Sequence, residues 1–396
     1  IYGPNVANGT ETLIITSAGS AYGNASAPNA SAGLSFGDEI SFSAALKFDL
    51  CFAFTSRRAT EPFKLHTAFP MTVSEITAIA STTGDHFAAV VNQQKNFAFI
   101  GTGVSTGDLV KYVSGDASNN GNLDDALCIS EDSAGGLTGA SVNGAILTVT
   151  GSTGVFSNQV AFTSRSNPTK PLRLCYKFAQ EPFHLYPLLT VESRSVIRVQ
   201  TIVGAPDVAV VDMPKTYFFV GTGQQNTLDV VKVVSAEVNT DAGCNGYNLA
   251  VTTDGGSGGL ISTVTTSASV GVDGKLEVSA GISLNFQTES PFGPWRLCYK
   301  FHNEPFKLYP SLTFSARKVL YITSSSGSNT LFVANHRVGK EWSVYGYGLR
   351  EGDKLKWVPD TVATDAGCGA DSDNAQPIQG TGVAQNQLVT RTFTTL

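Results

Sequence analysis

The six cysteines form two interleaved series with nearly constant spacing. The first series has steps of 124 and 123 residues, and the second has steps of 116 and 124. The two series are Cys51, Cys175 and Cys298, and Cys128, Cys244 and Cys368. Such spacing indicates an internal repeat of roughly 120 residues with two cysteines in each copy. The chain is therefore predicted to fold as a row of small, similar units.

Three sequence blocks recur in the same order and support this repeat. The first is Leu-Cys-Tyr-Lys-Phe followed by Glu-Pro-Phe-x-Leu-Tyr-Pro, with one divergent copy near the start. The second is Gly-x-Gly followed by Asp-x-Val-Lys-x-Val, and the third is Thr-Asp-Ala-Gly-Cys. Copies of the first block begin at Leu50, Leu174 and Leu297, the Asp segments of the second at Asp108, Asp229 and Asp353, and copies of the third at Thr240 and Thr364.

These blocks define the predicted domain organisation. Residues 1–72 are the C-terminal part of one module, 73–191 and 192–314 are complete modules, and 315–396 are the N-terminal part of a fourth. No Pro- or Gly-rich linker separates the modules, so we expect them to abut. The chain opens on Ile1 without a signal peptide, and we expect either a mature processed chain or part of a longer polypeptide.

The composition and the local patterns predict β-structure. The chain has 40 Gly, 23 Phe and 12 Tyr but only 2 Met, and its β-rich runs, such as 196–203 and 276–284, are bounded by turn residues. No stretch longer than ten residues has helical apolar periodicity. The predicted fold class is all-β, consisting of tandem immunoglobulin-like antiparallel β-sandwich modules of about 120 residues.

One cysteine pair per module predicts the disulfides Cys128–Cys175 and Cys244–Cys298. Metal binding is the competing reading, but no pair has CxxC spacing and the five histidines do not recur at equivalent places. Strand alternation puts Cys175 on the face opposite Tyr176, which predicts a bridge that fastens a Gly-containing loop to the polar outer face of a sheet. Each bridge contributes about 4 kcal/mol in the chain-entropy model. Disulfides persist in oxidising compartments, so we expect an extracellular or cell-surface protein.

Two cysteines, Cys51 and Cys368, have no partner at module spacing within the chain. We expect the partner of each to lie outside residues 1–396 in a longer polypeptide, or the two to form a bridge between copies. In the second case an open sheet edge would be completed by another chain, and head-to-tail completion that does not close produces a filament.

Charge and motifs argue against several classes of function. There are 26 Lys and Arg against 32 Asp and Glu, a net charge of −6, which disfavours nucleic-acid binding. No apolar run is long enough to span a bilayer. The Gly101-Thr-Gly103 segment lacks the third glycine and the lysine of a phosphate loop. Glu61, Glu181 and Glu304 recur before Pro without a paired acid, which predicts exposed or turn-capping roles.

Two further polar features favour structural readings. His184 is matched by Lys64 and Lys307 at equivalent positions, which indicates variation at the surface. The polar run 119–125 lacks the spacing and the terminal Glu of a calcium loop, so a solvated loop is expected. We therefore predict no catalytic residue, no metal ligand, no cofactor and no enzymatic activity.

The Gly-Thr-Gly strand, the Asp-x-Val-Lys-x-Val strand and the Leu-Cys-Tyr-Lys-Phe strand resemble those of immunoglobulin-like IPT/TIG modules. More narrowly, the chain is similar to the tandem repeats of large extracellular proteins of protists and algae, including flagellar-hair (mastigoneme-type) filament proteins. The first copy departs from the pattern, with Ala53 in place of the lysine. The resemblance implies a glycosylated surface or filament protein, and the sequons at Asn8, Asn24 and Asn29 fit that expectation.

The predicted function is a structural subunit of an extracellular filament or surface coat, built from rigid modules that assemble head to tail. The expected partners are copies of the same chain, with surface glycans or other coat proteins as further candidates, at the cell surface or the flagellar surface. The alternative is a cell-surface adhesin or an array of carbohydrate-binding modules. That alternative requires one module to carry a distinctive polar cleft.

Overall fold

The structure is a computed structural model. The residues that it describes are 47–52, 62–115, 125–130, 137–138, 146–152, 155–179, 181–225, 228–246, 251–252, 259–260, 263–271, 275–289, 293–324, 340–350, 353–355, 357–358, 362–370, 376–377 and 389–393. The chain divides into two compact units: unit 1 comprises 1–82, 94–161 and 172–191, and unit 2 comprises 83–93, 162–171 and 192–396. The module boundaries drawn from the sequence stay a prediction.

Short strands and one helical turn make up the first half of the chain. In chain order they are β1 (Lys47–Phe52), β2 (Lys64–Thr72), β3 (Glu75–Ser81), β4 (Ala88–Val90), β5 (Lys95–Thr102), β6 (Leu109–Val113), α1 (Ala126–Ser130), β7 (Leu137–Thr138), β8 (Leu147–Thr148), β9 (Thr150–Ser152), β10 (Val155–Phe162), β11 (Leu172–Lys177) and β12 (His184–Thr201).

The second half repeats this pattern with two more helical turns. Its elements are β13 (Val208–Val210), β14 (Lys215–Thr222), β15 (Val230–Val234), α2 (Gly243–Gly246), β16 (Val251–Thr252), β17 (Gly259–Leu260), β18 (Thr263–Val270), β19 (Leu276–Phe286), β20 (Trp295–Lys300), β21 (Lys307–Ser324), β22 (Lys340–Tyr347), β23 (Lys354–Leu355), α3 (Asp365–Ala370), β24 (Gln376–Pro377) and β25 (Val389–Phe393).

Unit 1 contains two antiparallel sheets that pack face to face. In one sheet β5 pairs with β3 and β10, and in the other β6 and β11 pair, with the first half of β12 beside β11. Alternate residues of β5 point inward, because Phe97 and Phe99 are buried. The Phe97 ring lies 6.3 Å from that of Tyr112, and the Phe99 ring 5.3 Å from that of Tyr176. These contacts between facing sheets confirm the predicted all-β, immunoglobulin-like sandwich.

Unit 2 repeats the sandwich. Here β14 pairs with β19 and with the second half of β12, while β20 pairs with β15 and with the first half of β21. The core between these sheets is aromatic: the ring of Phe219 lies 5.8 Å from that of Tyr299, and the ring of Tyr217 lies 5.2 Å from that of Phe314. Tyr176 and Tyr299, which the repeat places at equivalent positions, are both fully buried.

A single long strand serves two sheets in unit 2. β21 is 18 residues long; its first part pairs with β20 and its last part with β22, which in turn pairs with β25. β12 has the same length and divides its pairing in the same way between β11 and β14. Each of these two strands thus continues without a break from one pairing to the next.

The Gly-x-Gly motif belongs to the end of a strand, as expected from its lack of a phosphate-loop lysine. In Gly221-Thr222-Gly223, a Cβ on Gly221 would lie 1.9 Å from the carbonyl oxygen of Ser195 on the neighbouring strand. Gly223 has a φ of 81°, a left-handed conformation that favours glycine. The first glycine therefore permits a close approach of two backbones, and the second permits the turn.

Candidate functional site

The structure contains both disulfides that the module spacing predicts. Cys128 is bonded to Cys175, with 5.7 Å between their Cα atoms, and Cys244 to Cys298, with 5.9 Å. The sequence places 47 residues between the first pair and 54 between the second. Both bridges connect a helical turn, α1 or α2, to a strand, where the sequence predicted only a loop.

The sequence predicted correctly that the bridges lie on the face of the sheet opposite the aromatic core, but it was wrong to place them on the exposed outside. Cys175 and Cys298 lie outside the aromatic core, as alternation requires, yet all four bridged cysteines are buried. Each bridge belongs to a second, smaller apolar cluster, which we call the cystine core. Its members are Val113, Leu127, Cys128, Cys175 and Leu185 in unit 1, and Val234, Val238, Cys244, Cys298, Phe306 and Leu308 in unit 2.

The lysine next to each bridge explains why this face reads as polar in the sequence. Lys232 lies over the ring of Phe306, 4.4 Å from its centroid, and its Nζ donates a hydrogen bond of 3.2 Å to the carbonyl of Cys244. A lysine can cover apolar surface with its stem while its ammonium finds a polar partner. The alternation of residue types therefore predicted correctly which way the cysteine side chains point, but it did not predict that they are buried.

An aspartate three residues before the cysteine fixes each helical turn to the neighbouring strand. Asp241 accepts a hydrogen bond of 2.8 Å from the Leu308 amide, and its other oxygen pairs with Lys307 Nζ at 3.0 Å. In unit 1 Asp125 accepts from the Leu185 amide at 2.7 Å, and its second oxygen lies 2.9 Å from His184 Nδ1. His184 is exposed, as expected, and it contacts Asp125 as Lys307 contacts Asp241.

Each described sandwich also contains a buried aspartate–tyrosine pair. Asp229 accepts hydrogen bonds from the Tyr299 hydroxyl at 2.7 Å, the His302 amide at 2.8 Å and the Gln225 amide at 2.8 Å. Burial raises the pKa of Asp229 above its ordinary value, although these hydrogen bonds favour the charged form. Burial is the main cause that raises the pKa of Tyr299, and the nearby charge of Asp229 is the second. The pair fastens a loop to a strand, which is a structural role.

The pair recurs in unit 1, and sequence reasoning missed it. Tyr176 donates to Asp108 at 2.7 Å, and the Ala179 amide donates to the other oxygen at 2.9 Å. The signal was available, because Asp and Tyr recur together in two of the repeated blocks. The third copy, Asp353, is part-exposed and is held by the Arg350 amide at 2.7 Å and Arg317 at 3.2 Å.

The recurring glutamates have unequal environments. Glu181 is exposed, as predicted, and Glu61 lies outside the described residues. Glu304 corrects the prediction, because it is buried in unit 2 and accepts a 2.9 Å hydrogen bond from the Asp85 amide. Asp85 also pairs with Arg194 at 3.1 Å. Tertiary contacts with residues far along the chain thus buried a glutamate that its neighbours in sequence placed in an ordinary turn.

Unit 2 contains a polar cleft beside a buried ion pair. Glu277 lies 3.1 Å from Arg165 and 2.5 Å from Arg198. Arg198 and Glu277 line a shallow cavity of about 340 Å³ together with Gln200, Val220, Ser269 and Ser279. The position equivalent to Arg198 in the preceding repeat is Ala78, since each faces the corresponding residue of the next strand. The guanidinium of Arg198 therefore has no counterpart at the equivalent position Ala78.

The remaining predicted site residues separate into two groups. Cys51 and Cys368 are free thiols, half-buried and exposed respectively, and Asn8, Asn24 and Asn29 lie outside the described residues.

Within the described ranges no group of three His, Cys, Asp or Glu side chains is placed to hold a metal. No helix in the described part of the chain is long and apolar enough to cross a membrane.

Comparison with known proteins yields structural neighbours only. No family model matches the chain, and no curated protein sequence matches it. Similar solved structures include the D1-D2 domains of Rst, at 10% identity, covering 61% of this chain and 100% of that one, with a TM-score of 0.21. A three-domain I-band fragment of titin is 6% identical, with 81% of this chain and 90% of that one covered and a TM-score of 0.20. Extracellular domains 3-5 of Drosophila OTK are 8% identical, with 80% of this chain and 89% of that one covered and a TM-score of 0.15. The antiparallel strand pairing and the aromatic cores of the two units define the fold.

Proposed function

We propose that the protein is a structural subunit of an extracellular filament or surface coat, in which copies associate head to tail. The observation that carries this proposal is the repetition of purely structural devices. Both described sandwiches contain a cystine core and a buried aspartate–tyrosine pair at equivalent places. A fibre needs equivalent faces that repeat along an array, and repeat architectures supply them.

Two properties support the extracellular location. The disulfides close large loops and are buried, and bonds of this kind persist in oxidising compartments. The resemblance to IPT/TIG modules and to mastigoneme-type proteins supports a surface filament, including one on a flagellum. The proposal assigns no catalytic step to any residue.

Electron microscopy of the protein in negative stain tests the filament directly. We expect threads with an axial repeat set by one copy of the chain, formed under oxidising conditions. Dispersed single particles at every concentration and redox condition would overturn the proposal. Sedimentation velocity on the same samples supplies the control, because adventitious aggregates give no regular series of species.

One observation favours a second candidate, a carbohydrate-binding adhesin. The cleft at Arg198 and Glu277 combines charged, amide and hydroxyl groups, which suits a polar ligand such as a sugar, and its arginine is replaced by Ala78 in the preceding repeat. A glycan array probed with the labelled chain and with Arg198→Ala tests it. Glycan binding by the chain that the variant loses would support the adhesin, whereas no binding, or equal binding by both, would exclude this cleft.

A further inference from the structure

We propose that the cleft beside Arg198 binds an anionic group of an acidic polysaccharide, either a sulfate ester or a carboxylate, through the Arg198 guanidinium. This inference rests on the second candidate function above, sugar binding, and it names the chemical class of the ligand. The cleft lies on the sheet in which β14 pairs with β12 and β19, on the face opposite the aromatic core of unit 2.

A β-bulge places Arg198 at the cleft. The register between β12 and β14 shifts between Val196 and Arg198, which leaves Ile197 as the extra residue. Bulges re-aim the side chains beside them and are frequent next to functional sites. The same shift precedes Ala78 in β3 and Tyr321 in β21. The repeat therefore supplies the backbone geometry, and the residue at position 198 supplies a positive charge that the equivalent residues lack.

Two arginines share one buried carboxylate at the cleft. Glu277 is 2% exposed; its Oε1 lies 3.1 Å from Arg165 Nη2, and its Oε2 lies 2.5 Å from Arg198 Nη1. Arg165 is also buried, and its Nη1 donates hydrogen bonds to the Thr222 hydroxyl at 3.0 Å and to the Leu276 carbonyl at 3.1 Å. Arg165 thus holds Glu277 in place, and Glu277 in turn orients Arg198.

This cluster has a surplus of positive charge that reaches the solvent. Two guanidinium groups face a single carboxylate, and Lys275, whose Nζ donates to the Arg165 carbonyl, adds a further cation. The Arg165 side chain is 6% exposed, whereas that of Arg198 is 40% exposed. A guanidinium carries several N–H donors in a planar fork that can bind two anionic oxygens at once. An oxyanion is therefore the ligand that suits the open side of Arg198.

The other side chains of the cleft suit the sugar that carries the anion. Gln200, Ser269 and Ser279 line the same cavity and supply an amide and two hydroxyls. The cavity of about 340 Å³ is at the lower end of the range of small-molecule sites, roughly 300–1,000 Å³. It therefore has room for one substituted sugar ring of a longer polymer.

The charge balance favours an acidic sugar over a neutral one. A neutral sugar would remove water from the Arg198 guanidinium without neutralising it, which costs free energy that an anion recovers. The whole chain has a net charge of −6 and so repels polyanions in general. Binding of an acidic polysaccharide consequently requires a local cationic site such as this one.

Soluble polysaccharide probes test the class of ligand on the full chain. Dextran sulfate carries sulfate esters, alginate carries carboxylates, and dextran is the neutral polymer. With the chain immobilised for biolayer interferometry, we expect the two polyanions to bind and dextran not to bind. Binding of one polyanion alone would identify its group as the one recognised. Binding of dextran as tightly as of dextran sulfate, or no binding of either polyanion, would overturn the proposal.

Substitutions at Arg198 test whether the cleft is the site. Arg198→Ala should lower the affinity for the bound polyanion by about tenfold or more, because a charge-assisted hydrogen-bonding group is lost. Arg198→Lys should lower it by about threefold, because lysine keeps the charge without the planar fork. Arg350→Ala is the matched control, because it removes the same charge at another exposed position of unit 2. Equal losses in Arg198→Ala and Arg350→Ala would indicate diffuse attraction and contradict the assigned site.

A change of charge inside the cleft separates anion recognition from a structural role of the ion pair. Glu277→Gln keeps the shape of the side chain but removes the carboxylate that competes for Arg198, so it should raise the affinity for the polyanion by about threefold. If the ion pair only maintained the shape of the cleft, the affinity would fall in this variant. Thermal unfolding shows whether the variant is folded.

Ser269→Asp provides a second test that leaves the buried ion pair intact. Ser269 is exposed at the rim of the cleft. A negative charge there should lower the affinity for the polyanion by about tenfold, whereas the neutral Ser269→Asn should change it by less than about twofold. Unchanged affinity in Ser269→Asp would overturn the proposal.

The glycan array distinguishes failure of this inference from failure of the second candidate function. Neutral glycans that bind the chain and are lost in Arg198→Ala would leave the sugar-binding site standing and remove its preference for anions. Polyanion binding that depends on Arg198, with no glycan of the array bound, would retain the anion site and remove the adhesin. Loss of all binding would remove both, and none of these results bears on filament formation.

Discussion

Leu308 and Leu65 occupy equivalent places in the repeat but different physical environments. Each lies opposite a cysteine in an antiparallel pair, at the same register. Leu308 packs in the cystine core under α2, whereas Leu65 projects from an exposed hairpin. Local sequence therefore suffices to pair the two strands, whereas the burial of Leu308 depends on residues of β15 and α2 that pack in the same cluster.

The same difference separates the cysteines. Cys244 is buried and bridged, whereas Cys368, in the same Thr-Asp-Ala-Gly-Cys block, is exposed and free. The same block therefore occurs in two environments, with its cysteine bridged and buried in one and free and exposed in the other. The comparison predicts that substitutions of one type will have unequal effects in the two settings.

The largest effect is expected from removal of a bridge. Cys244→Ala combined with Cys298→Ala should lower the stability of unit 2 by about 4 kcal/mol, because the unfolded chain regains the freedom of a large loop. Calorimetric thermal unfolding of the full chain measures it. Cys51→Ala with Cys368→Ala is the matched control and should change the stability of the isolated chain by less than about 0.5 kcal/mol. Similar losses in both double variants would contradict the comparison.

Truncation of the two leucines should give the next largest contrast. Leu308→Ala removes buried methyl groups and leaves a cavity in the cystine core, which should cost about 3 kcal/mol. Leu65→Ala removes exposed methyl groups and should cost less than about 0.5 kcal/mol in the dilute, reduced chain. Native-state hydrogen exchange at the amides of β20 and β1 reports each locally. An equal loss of protection in both strands would show that Leu65 is buried in solution.

The aspartate–tyrosine pair should contribute somewhat less. Tyr299→Phe removes the hydroxyl that donates to buried Asp229 and should destabilise unit 2 by about 2 kcal/mol. Tyr345→Phe, at a half-buried tyrosine stacked on Tyr321, is the control and should cost less than about 0.5 kcal/mol. Urea unfolding followed by tyrosine fluorescence compares the two. If Tyr299→Phe left the free energy of unfolding unchanged, the buried hydrogen bond would contribute no more to stability than hydration of the hydroxyl in the unfolded chain.

The smallest effect concerns the pH dependence of the free energy of unfolding. The folded-state pKa of Asp229 is raised from 3.8, chiefly by burial. Its contribution to stability is therefore fully present below pH 3.8 and is lost as the pH rises through the folded-state pKa, because the unfolded state releases the proton first. The difference in unfolding free energy between the chain and Asp229→Asn should shrink over that interval. A difference that grows with pH would show that the hydrogen bonds outweigh burial.

Periodicity and spacing predicted much of this architecture correctly. The constant cysteine steps predicted both bridges, and the alternation of Leu174, Cys175 and Tyr176 predicted which residues face the aromatic core. Both signals come from geometry that the backbone imposes on every strand, so neighbouring residues are enough to reveal them. Tandem repetition strengthened them, since each copy is an independent instance of the same pattern.

Other features could not be predicted because they depend on residues far apart in the chain. Glu304 is buried by Asp85, which lies 219 residues earlier, and Arg165 meets Glu277 112 residues later. The burial of Cys298 required a helical turn to cover its face of the sheet, and the short Gly- and Asn-containing segment 243–246 gave no sign of that turn. Burial is a property of the assembled fold and not of a segment.

The sequence by itself determined the fold class, the number of cysteines in each repeat, their pairing and the inward-facing aromatic residues, because strand alternation and loop spacing act locally. Only the tertiary structure decided that a face of mixed polarity becomes a second core, that Asp229 and Tyr299 form a buried pair, and that Leu65 and Leu308 differ in exposure. The physical reason is that the free energy of burial depends on what covers a side chain, and the covering residues come from other parts of the chain.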